Sequence, residues 1–392
     1  MTPKRIAILT GTRADWGILS PLAKALKNHP DIILSVVATN MHLSESHGMT
    51  VNDIINDGFN VDFRVPMPIA SDNPADRITA MAQCMVGMSE AMQNIHPDAV
   101  IILGDRFEML SAATSAAMLR IPIIHIAGGT VSFGAVDDSI RHAITKLASL
   151  HLTETDKHRH RVIQMGEDPE NVITTGALGV WNIMNTKLLT STELAADLDG
   201  FTLDRTSSIL ATYHPATLDN TPADISFKAF LDAIDAFPDN NVLISGANND
   251  AGGLAINRMI DQYAAANPGR VKAVKSLGMR RFLSAMNSAA VFVGNSSSGI
   301  VEAPSMGIPT VNIGNRQKGR QRAASVIHSD GDTESIVKAI KYALSPEAQA
   351  IAARRESPYF HPDTLNVMVD AIMRFLNSPQ KTKIFHDLAW LS

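Results

Sequence analysis

A single cysteine, Cys84, stands among 392 residues. That count excludes an intramolecular disulfide and any cysteine-built zinc cluster, and a reducing cytoplasm is the expected compartment. Aromatic residues make up only 5% of the chain and charged residues 19%. No apolar run approaches the roughly 20 residues that a membrane-crossing helix needs, so no membrane partner is expected. Positive charge is not in excess: the formal net charge is −5, which argues against a general nucleic-acid surface but leaves room for a local basic pocket around a small anion. The opening Met1-Thr2-Pro3-Lys4-Arg5 runs straight into an apolar stretch with no secretory-leader pattern. Walker A and Gly-x-Gly-x-x-Gly fingerprints are absent, and no His, Asp and Glu set has metal-ligand spacing. Neither a metal nor a cofactor is expected.

What the chain does contain is 45% hydrophobic residues, arranged in an ordinary globular pattern over a length that suits two domains. Ile6–Leu9, Ile33–Ala38, Ala99–Leu103 and Ile121–Ile126 read as buried parallel strands, because each is a short, near-continuous apolar run. Helical patterns lie between them. One starts at Asn73-Pro74, a cap and first-turn pair, and carries Met81, Met85, Met88 and Met92 as core filler. Trp181 to Arg205 reads as a connector. A second alternation comes after it, with strands at Ile209–Thr212, Val242–Ser245, Val271–Val274, Ala290–Val293 and Thr310–Ile313. Two successive βα-repeating halves predict an α/β chain of two Rossmann-like domains, one over residues 1–180 and one over 181–363. The final helical pattern, 364–392, is a candidate to complete the first.

Ligands of such sheets bind beyond the C-terminal strand ends, and the polar residues cluster there. Gly11-Thr12-Arg13-Ala14-Asp15 and Asn40-Met41-His42 come after the first two strands. Gly104-Asp105-Arg106-Phe107-Glu108 and Gly128-Gly129-Thr130 come after the next two. In the second half His214-Pro215, Asn248-Asn249-Asp250, Ser276-Leu277-Gly278 and Gly294-Asn295-Ser296-Ser297-Ser298-Gly299 hold corresponding places. The last of these joins an apolar strand to a helix pattern carrying Glu302. It reads either as a capped turn or as a cradle of backbone N–H groups for a diphosphate. Arg13, Arg316 and Arg320 lie in glycine-rich loops suited to approaching an anion, with Gln317 beside them. Asp105 is an acid/base candidate or a helix cap, and Arg106 a phosphate ligand or a surface ion pair. Asp137 and Arg141, four apart, share a helix face, as do Asp138 and His142. Their glycine-rich lead-in favours a site over solvated ion pairs. His214 is held extended by Pro215 and can move a proton near neutral pH. The His158 to Arg161 stretch reads as a solvated basic face.

Taken together, Gly11–Asp15, Gly104–Glu108, Gly134–Lys146, His214-Pro215, Gly294–Glu302 and Arg316–Arg320 resemble the UDP-N-acetylglucosamine 2-epimerases. The run Asp137-Asp138-Ser139-Ile140-Arg141-His142-Ala143-Ile144-Thr145-Lys146 matches the hydrolysing branch of sialic-acid-type biosynthesis. The resemblance spans Arg5 to about Ile327. It implies a GT-B-like fold, two Rossmann-like domains with the active site in the interdomain cleft, and a homodimer or homotetramer. It implies elimination of UDP to a 2-acetamidoglycal, then addition of water with inversion at C2 to give UDP and free N-acetylmannosamine. By motif, Asp105, Asp137 and His214 fall on acid/base positions. Arg13, His42, Arg106, Arg141, Ser296, Ser297, Glu302, Arg316 and Gln317 fall among the contacts to the UDP-sugar, with Glu302 suited to the ribose hydroxyls. Asn248, Asp250 and Leu277 fall near the sugar or uridine.

Many hydrolysing relatives carry a carboxylate in the loop after the strand histidine, as Gly-Gly-Glu or Gly-Gly-Asp. Here that loop reads His125-Ile126-Ala127-Gly128-Gly129-Thr130-Val131-Ser132-Phe133 and holds none, so a third acid/base group is expected to be missing or replaced. Ala127 and Phe133 suggest a more apolar pocket, suited to a 6-deoxy sugar such as UDP-2,4-diacetamido-2,4,6-trideoxyglucose. The competing readings are a non-hydrolysing epimerase, a GT-B glycosyltransferase, and a nucleotide-sugar-binding protein without turnover.

Overall fold

The structure is a computed structural model that describes residues 2–45, 48–69, 73–131, 136–215, 222–247, 253–379 and 383–388. The chain divides into two compact units, Met1–Asn182 with His361–Ser392, and Ile183–Phe360. Among the described residues, the first unit holds seven strands: β1 (Lys4–Thr10), β2 (Ile32–Thr39), β3 (Phe63–Val65), β4 (Ala99–Leu103), β5 (Ile123–Ile126), β6 (Leu150–Thr153) and β7 (Val172–Thr174). They pair in parallel in the order β3-β2-β1-β4-β5-β6-β7. The second unit holds β8 (Ile209–Thr212), β9 (Val242–Ser245), β10 (Val271–Val274), β11 (Val291–Gly294), β12 (Thr310–Ile313) and β13 (Val326–Ser329). These are also parallel, in the order β10-β9-β8-β11-β12-β13. Each sheet reverses direction of growth between its first and fourth strands, and that crevice is where doubly wound sheets take ligands.

The central strands are mostly apolar because both sheet faces are covered. Ile6 and Ile8 pack with Leu19, Leu22, Met368 and Ile372 on one side. Their neighbours Ala7 and Leu9 pack with Met88, Met92, Ala112 and Ala116 on the other. Met88 and Met92 are thus core residues, with Met81 packed against the same cluster. The helix Thr364–Asn377 lies against the helix Arg13–Lys27. In the second unit Phe227, Phe230, Ile336 and Ile340 cover one sheet face, and Leu283, Met286 and Ile308 cover the other. No helix of the described residues is long and apolar enough to cross a membrane.

Four strands escape the sequence reading: β3, β6, β7 and β13. Each is three or four residues long, and Arg64, His151 and His328 interrupt three of them, leaving little apolar run to find. The stretch from Trp181 to Arg205 is not a plain connector. It includes the end of the helix Leu178–Met184 and the whole helix Ser191–Asp197. The second opens with a reciprocal cap: Glu193 N–H donates to Thr190 Oγ1 at 3.2 Å, and Thr190 N–H donates to Glu193 Oε2 at 2.8 Å. Thr190-Ser191-Thr192-Glu193 is the local signal for it.

The edge of the first sheet is tied by one buried carboxylate. Glu167 receives Lys146 at 2.6 Å, His151 Nε2 at 3.0 Å and Lys383 at 2.5 Å. Burial alone would raise its pKa, but the bonds from His151, Lys146 and Lys383 outweigh that and hold it at about 2. A depressed folded-state pKa stabilises the fold above the unfolded value of about 4.3, and that stabilisation is lost as pH falls through the folded value. Glu167→Gln is expected to cost about 3 kcal/mol at pH 7, as for breaking a buried pair. The gap to the parent chain should narrow at pH 3 in urea unfolding. An equal gap at both pH values would mean the glutamate is not acting through its charge.

Candidate active site

At the crevice of the first sheet, the loops after β1 and β4 touch. A side chain on Gly11 would meet Glu108 Oε1 at 2.5 Å, so any larger residue there would have to displace the buried Glu108 side chain. Glu108 is fully buried and accepts from Arg106 Nε at 2.5 Å, while its second oxygen has no hydrogen-bond partner. Burial would lower the Arg106 pKa, but the Glu108 carboxylate outweighs it and the net direction is upward. Asp15 sits beside this pair. Burial lifts its carboxyl to about 6 against the opposing pull of Thr12 and Arg106. Arg13 is exposed at the first residue of the helix after β1.

Asp105 does not cap the helix Phe107–Met118, whose N-cap is Arg106 with no side-chain cap bond. It pairs instead with Arg141 Nη2. Arg141 is not a surface cation either: it is 4% exposed and also donates to Asp138 Oδ1 at 3.2 Å and to the Thr130 carbonyl at 2.8 Å. Asp137, on the exposed first turn of the helix Val136–Leu147, has its pKa raised by desolvation and then by the Asp105 carboxylate. Asp105, Asp137, Arg106 and Arg141 therefore form one electrostatic cluster, two carboxylates with two guanidiniums at the strand ends.

The Gly128-Gly129-Thr130 loop is pinned from the next strand. The Thr130 hydroxyl donates to Glu154 Oε2 at 3.3 Å and lies 3.4 Å from His158 Nδ1. His158 is 2% exposed, Arg159 donates to the carbonyls of Val172 and Pro169, and Arg161 donates to the Gly129 carbonyl. The basic stretch is thus a buttress for this loop and for β7, which corrects its reading as a solvated face. Three of its four side chains point at backbone carbonyls or the Thr130 hydroxyl because the helix Asp156–Gln164 lies against them.

In the second unit the loops after β8 and β11 are stitched by Asn295, a residue to which the sequence assigned no role. Its amide donates to the His214 carbonyl at 2.7 Å and its Oδ1 accepts the His214 N–H at 2.8 Å. This reciprocal pair fixes the backbone that presents the histidine. The Asn295 carbonyl accepts from Arg316 Nη1 at 3.2 Å and Gln317 Nε2 at 2.9 Å. Ser296 is buried and its Oγ accepts the Ser298 N–H at 3.3 Å, while Ser297, the N-cap of the helix Ser298–Val301, makes no side-chain cap bond. Ser297 and Glu302 are half-buried in the same segment, and Arg316 is exposed.

Three residues expected among the UDP-sugar contacts are buried side chains. His42 is fully buried, with Nε2 3.0 Å from Thr10 Oγ1 and Nδ1 2.9 Å from Thr50 Oγ1, and burial lowers its pKa to about 4. It is a neutral histidine with both ring nitrogens engaged by threonine hydroxyls. Leu277 buries its side chain among Leu283 and Phe292, leaving its backbone at the start of the helix Gly278–Ser288. Gln317 is 4% exposed and its amide supports the Asn295 carbonyl rather than facing solvent. Asn248, Asp250 and Phe133 lie outside the described residues.

The matches to known proteins fit this arrangement. The model of the UDP-N-acetylglucosamine 2-epimerase family covers residues 24–373. The hydrolysing GDP/UDP-N,N'-diacetylbacillosamine 2-epimerase of Campylobacter jejuni is 36% identical over 84% of this chain and 85% of its own length. The hydrolysing UDP-N,N'-diacetylbacillosamine 2-epimerase of Legionella pneumophila is 35% identical over 87% of this chain and 89% of its own. The crystal structure of UDP-GlcNAc 2-epimerase from Neisseria meningitidis bound to UDP-GlcNAc superposes with a TM-score of 0.81 at 17% identity, covering 94% of this chain and 100% of that one. That likeness is one of fold: the pair of Rossmann-like units of the GT-B class. Two parallel sheets of this order, an arginine–carboxylate cluster at the switch point of the first and a family match over most of the length have one reading: the chain is an enzyme of the UDP-N-acetylglucosamine 2-epimerase family.

Proposed function

We propose that the protein is a hydrolysing UDP-sugar 2-epimerase that acts on a UDP-2-acetamido sugar, releasing UDP and the free sugar inverted at C2. The observation that carries this reading is the Asp105–Arg141–Asp137 cluster. Removing a weakly acidic C2 proton needs a positioned base, and returning one needs an acid. Two carboxyl groups in different electrostatic settings divide those tasks: Asp105 is held by a guanidinium, and Asp137 has a raised proton affinity. We assign nucleotide binding to the second unit, with the Ser296–Ser297 turn and Arg316 on the diphosphate and Glu302 on the ribose. Arg13 and Arg106 supply further positive charge for the departing diphosphate, and His214 is the third acid/base group.

For the sugar we favour UDP-2,4-diacetamido-2,4,6-trideoxyglucose, the chemistry in the names of both hydrolysing relatives. UDP-N-acetylglucosamine is the second reading, supported by the name of the matching family. The test is incubation of the purified chain with each nucleotide sugar, reading products by NMR. Stoichiometric UDP and free C2-inverted sugar are expected. A C2-inverted UDP-sugar without free UDP would place the chain in the non-hydrolysing branch. Absence of turnover on either substrate would sink the proposal.

A further inference from the structure

The hydrolytic reading, on which this inference rests, has two half-reactions. In the first, a carboxylate takes the C2 proton and the C1–O bond breaks, its electron pair leaving on the UDP diphosphate. In the second, a water oxygen bonds C1, one proton of that water passes to a base, and C2 receives a proton from an acid. Asp105 and Asp137 are occupied with the C2 proton, and His214, joined through Asn295 to Arg316, serves the departing diphosphate. The water needs its own base, and the loop Gly128-Gly129-Thr130 supplies no carboxylate.

A carboxylate is nevertheless present at this loop, brought by the neighbouring strand. Glu154 directly succeeds β6, and its Oε2 receives the Thr130 hydroxyl at 3.3 Å. The Thr130 carbonyl in turn receives Arg141, which holds Asp105. A single chain of polar contacts therefore runs Asp105–Arg141–Thr130–Glu154, all at the C-terminal ends of β4, β5 and β6. Glu154 keeps 22% of its side chain exposed, so it can meet water, whereas the carboxylate of Glu108 is fully buried. His158 Nδ1 lies 3.6 Å from the same Glu154 oxygen. We propose that Glu154 is the general base of the hydration half-reaction, taking the proton of the water that attacks C1 while protonated Asp137 delivers the proton to C2.

The decisive variant is Glu154→Gln, which keeps shape and loses basicity. Wild type and variant are compared on UDP-2-acetamido sugars by proton NMR, tracking UDP, free sugar and the vinyl proton of the 2-acetamidoglycal. First-turnover UDP release is expected within about threefold of wild type, while free sugar forms about 100-fold more slowly, a typical loss for one acid/base group. The glycal should accumulate, and Glu154→Asp should recover at least part of the hydration rate. Wild-type free-sugar formation by Glu154→Gln would overturn the assignment. So would a parallel fall of UDP and sugar with no glycal, which marks a residue that only supports the loop. A wild-type chain that releases no UDP would instead overturn the hydrolytic reading itself.

Discussion

Asp105→Asn is expected to lower kcat about 1,000-fold, within the range for loss of one acid/base group and equal to about 4 kcal/mol of barrier. Asparagine keeps an oxygen facing Arg141, and Arg141 retains Asp138 and the Thr130 carbonyl. The fold should therefore survive, and UDP affinity, assigned to the other unit, should stay within about threefold in calorimetric titration. A second signature separates chemistry from packing. Part of the upward shift at Asp137 comes from the Asp105 charge. Removing that charge lowers the Asp137 pKa, so the limb that Asp137 contributes to the pH–rate profile moves to lower pH. A kcat within tenfold of wild type would reduce Asp105 to a counter-ion for Arg141.

Gly294→Ala is the second large effect, and it acts through the backbone. Gly294 has φ +149° and pairs with Thr212 across β11 and β8. An added Cβ would lie 1.9 Å from the Thr212 carbonyl oxygen. Neither a backbone atom nor a strand pairing can yield that distance cheaply, and the φ itself is costly for any residue with a Cβ. We expect a loss of about 4 kcal/mol or more, at the exceptional end for single substitutions, and a fall in Tm of the order of 10 °C for a unit of this size. The His214 and Ser296 loops adjoin that pairing, so UDP should no longer raise the Tm. A variant with the parent Tm and intact UDP stabilisation would show that the sheet crevice can shift without consequence.

How much of the fold and site is legible in the chain depends on how far apart the cooperating residues lie. Strands such as β4 and β8 announce themselves because burial on both faces demands an unbroken apolar run. Their carboxyl ends, and with them Asp105, Asp137, His214 and the serine turn, can be found by scanning the polar residues just past each run. The sequence pattern says nothing of which ends are neighbours. That β1 abuts β4, putting Gly11 on Glu108, is a property of strand order. Arg141 looks like half of a helix-surface pair because i,i+4 spacing records one helix face and not what covers it. His42 shares the strand-end position of the other candidates, and its ring lies between Thr10 and Thr50. Glu154 is invisible in the sequence as a partner for Thr130, since only the lateral pairing of β5 with β6 brings them together.

Asn295 carries a cost for the evolvability of the enzyme. One side chain sets the backbone of His214, and the same residue's carbonyl anchors Arg316 and Gln317. With Arg316 assigned to the diphosphate and His214 to proton transfer, both loops meet at one residue: the Asn295 side chain serves the histidine, while its carbonyl, kept by any residue at that position, serves the arginine, so a substitution there strikes the histidine's backbone first. Adaptation to a new sugar must therefore be drawn from residues away from this joint, and drift at position 295 should be purged whichever sugar a lineage adopts.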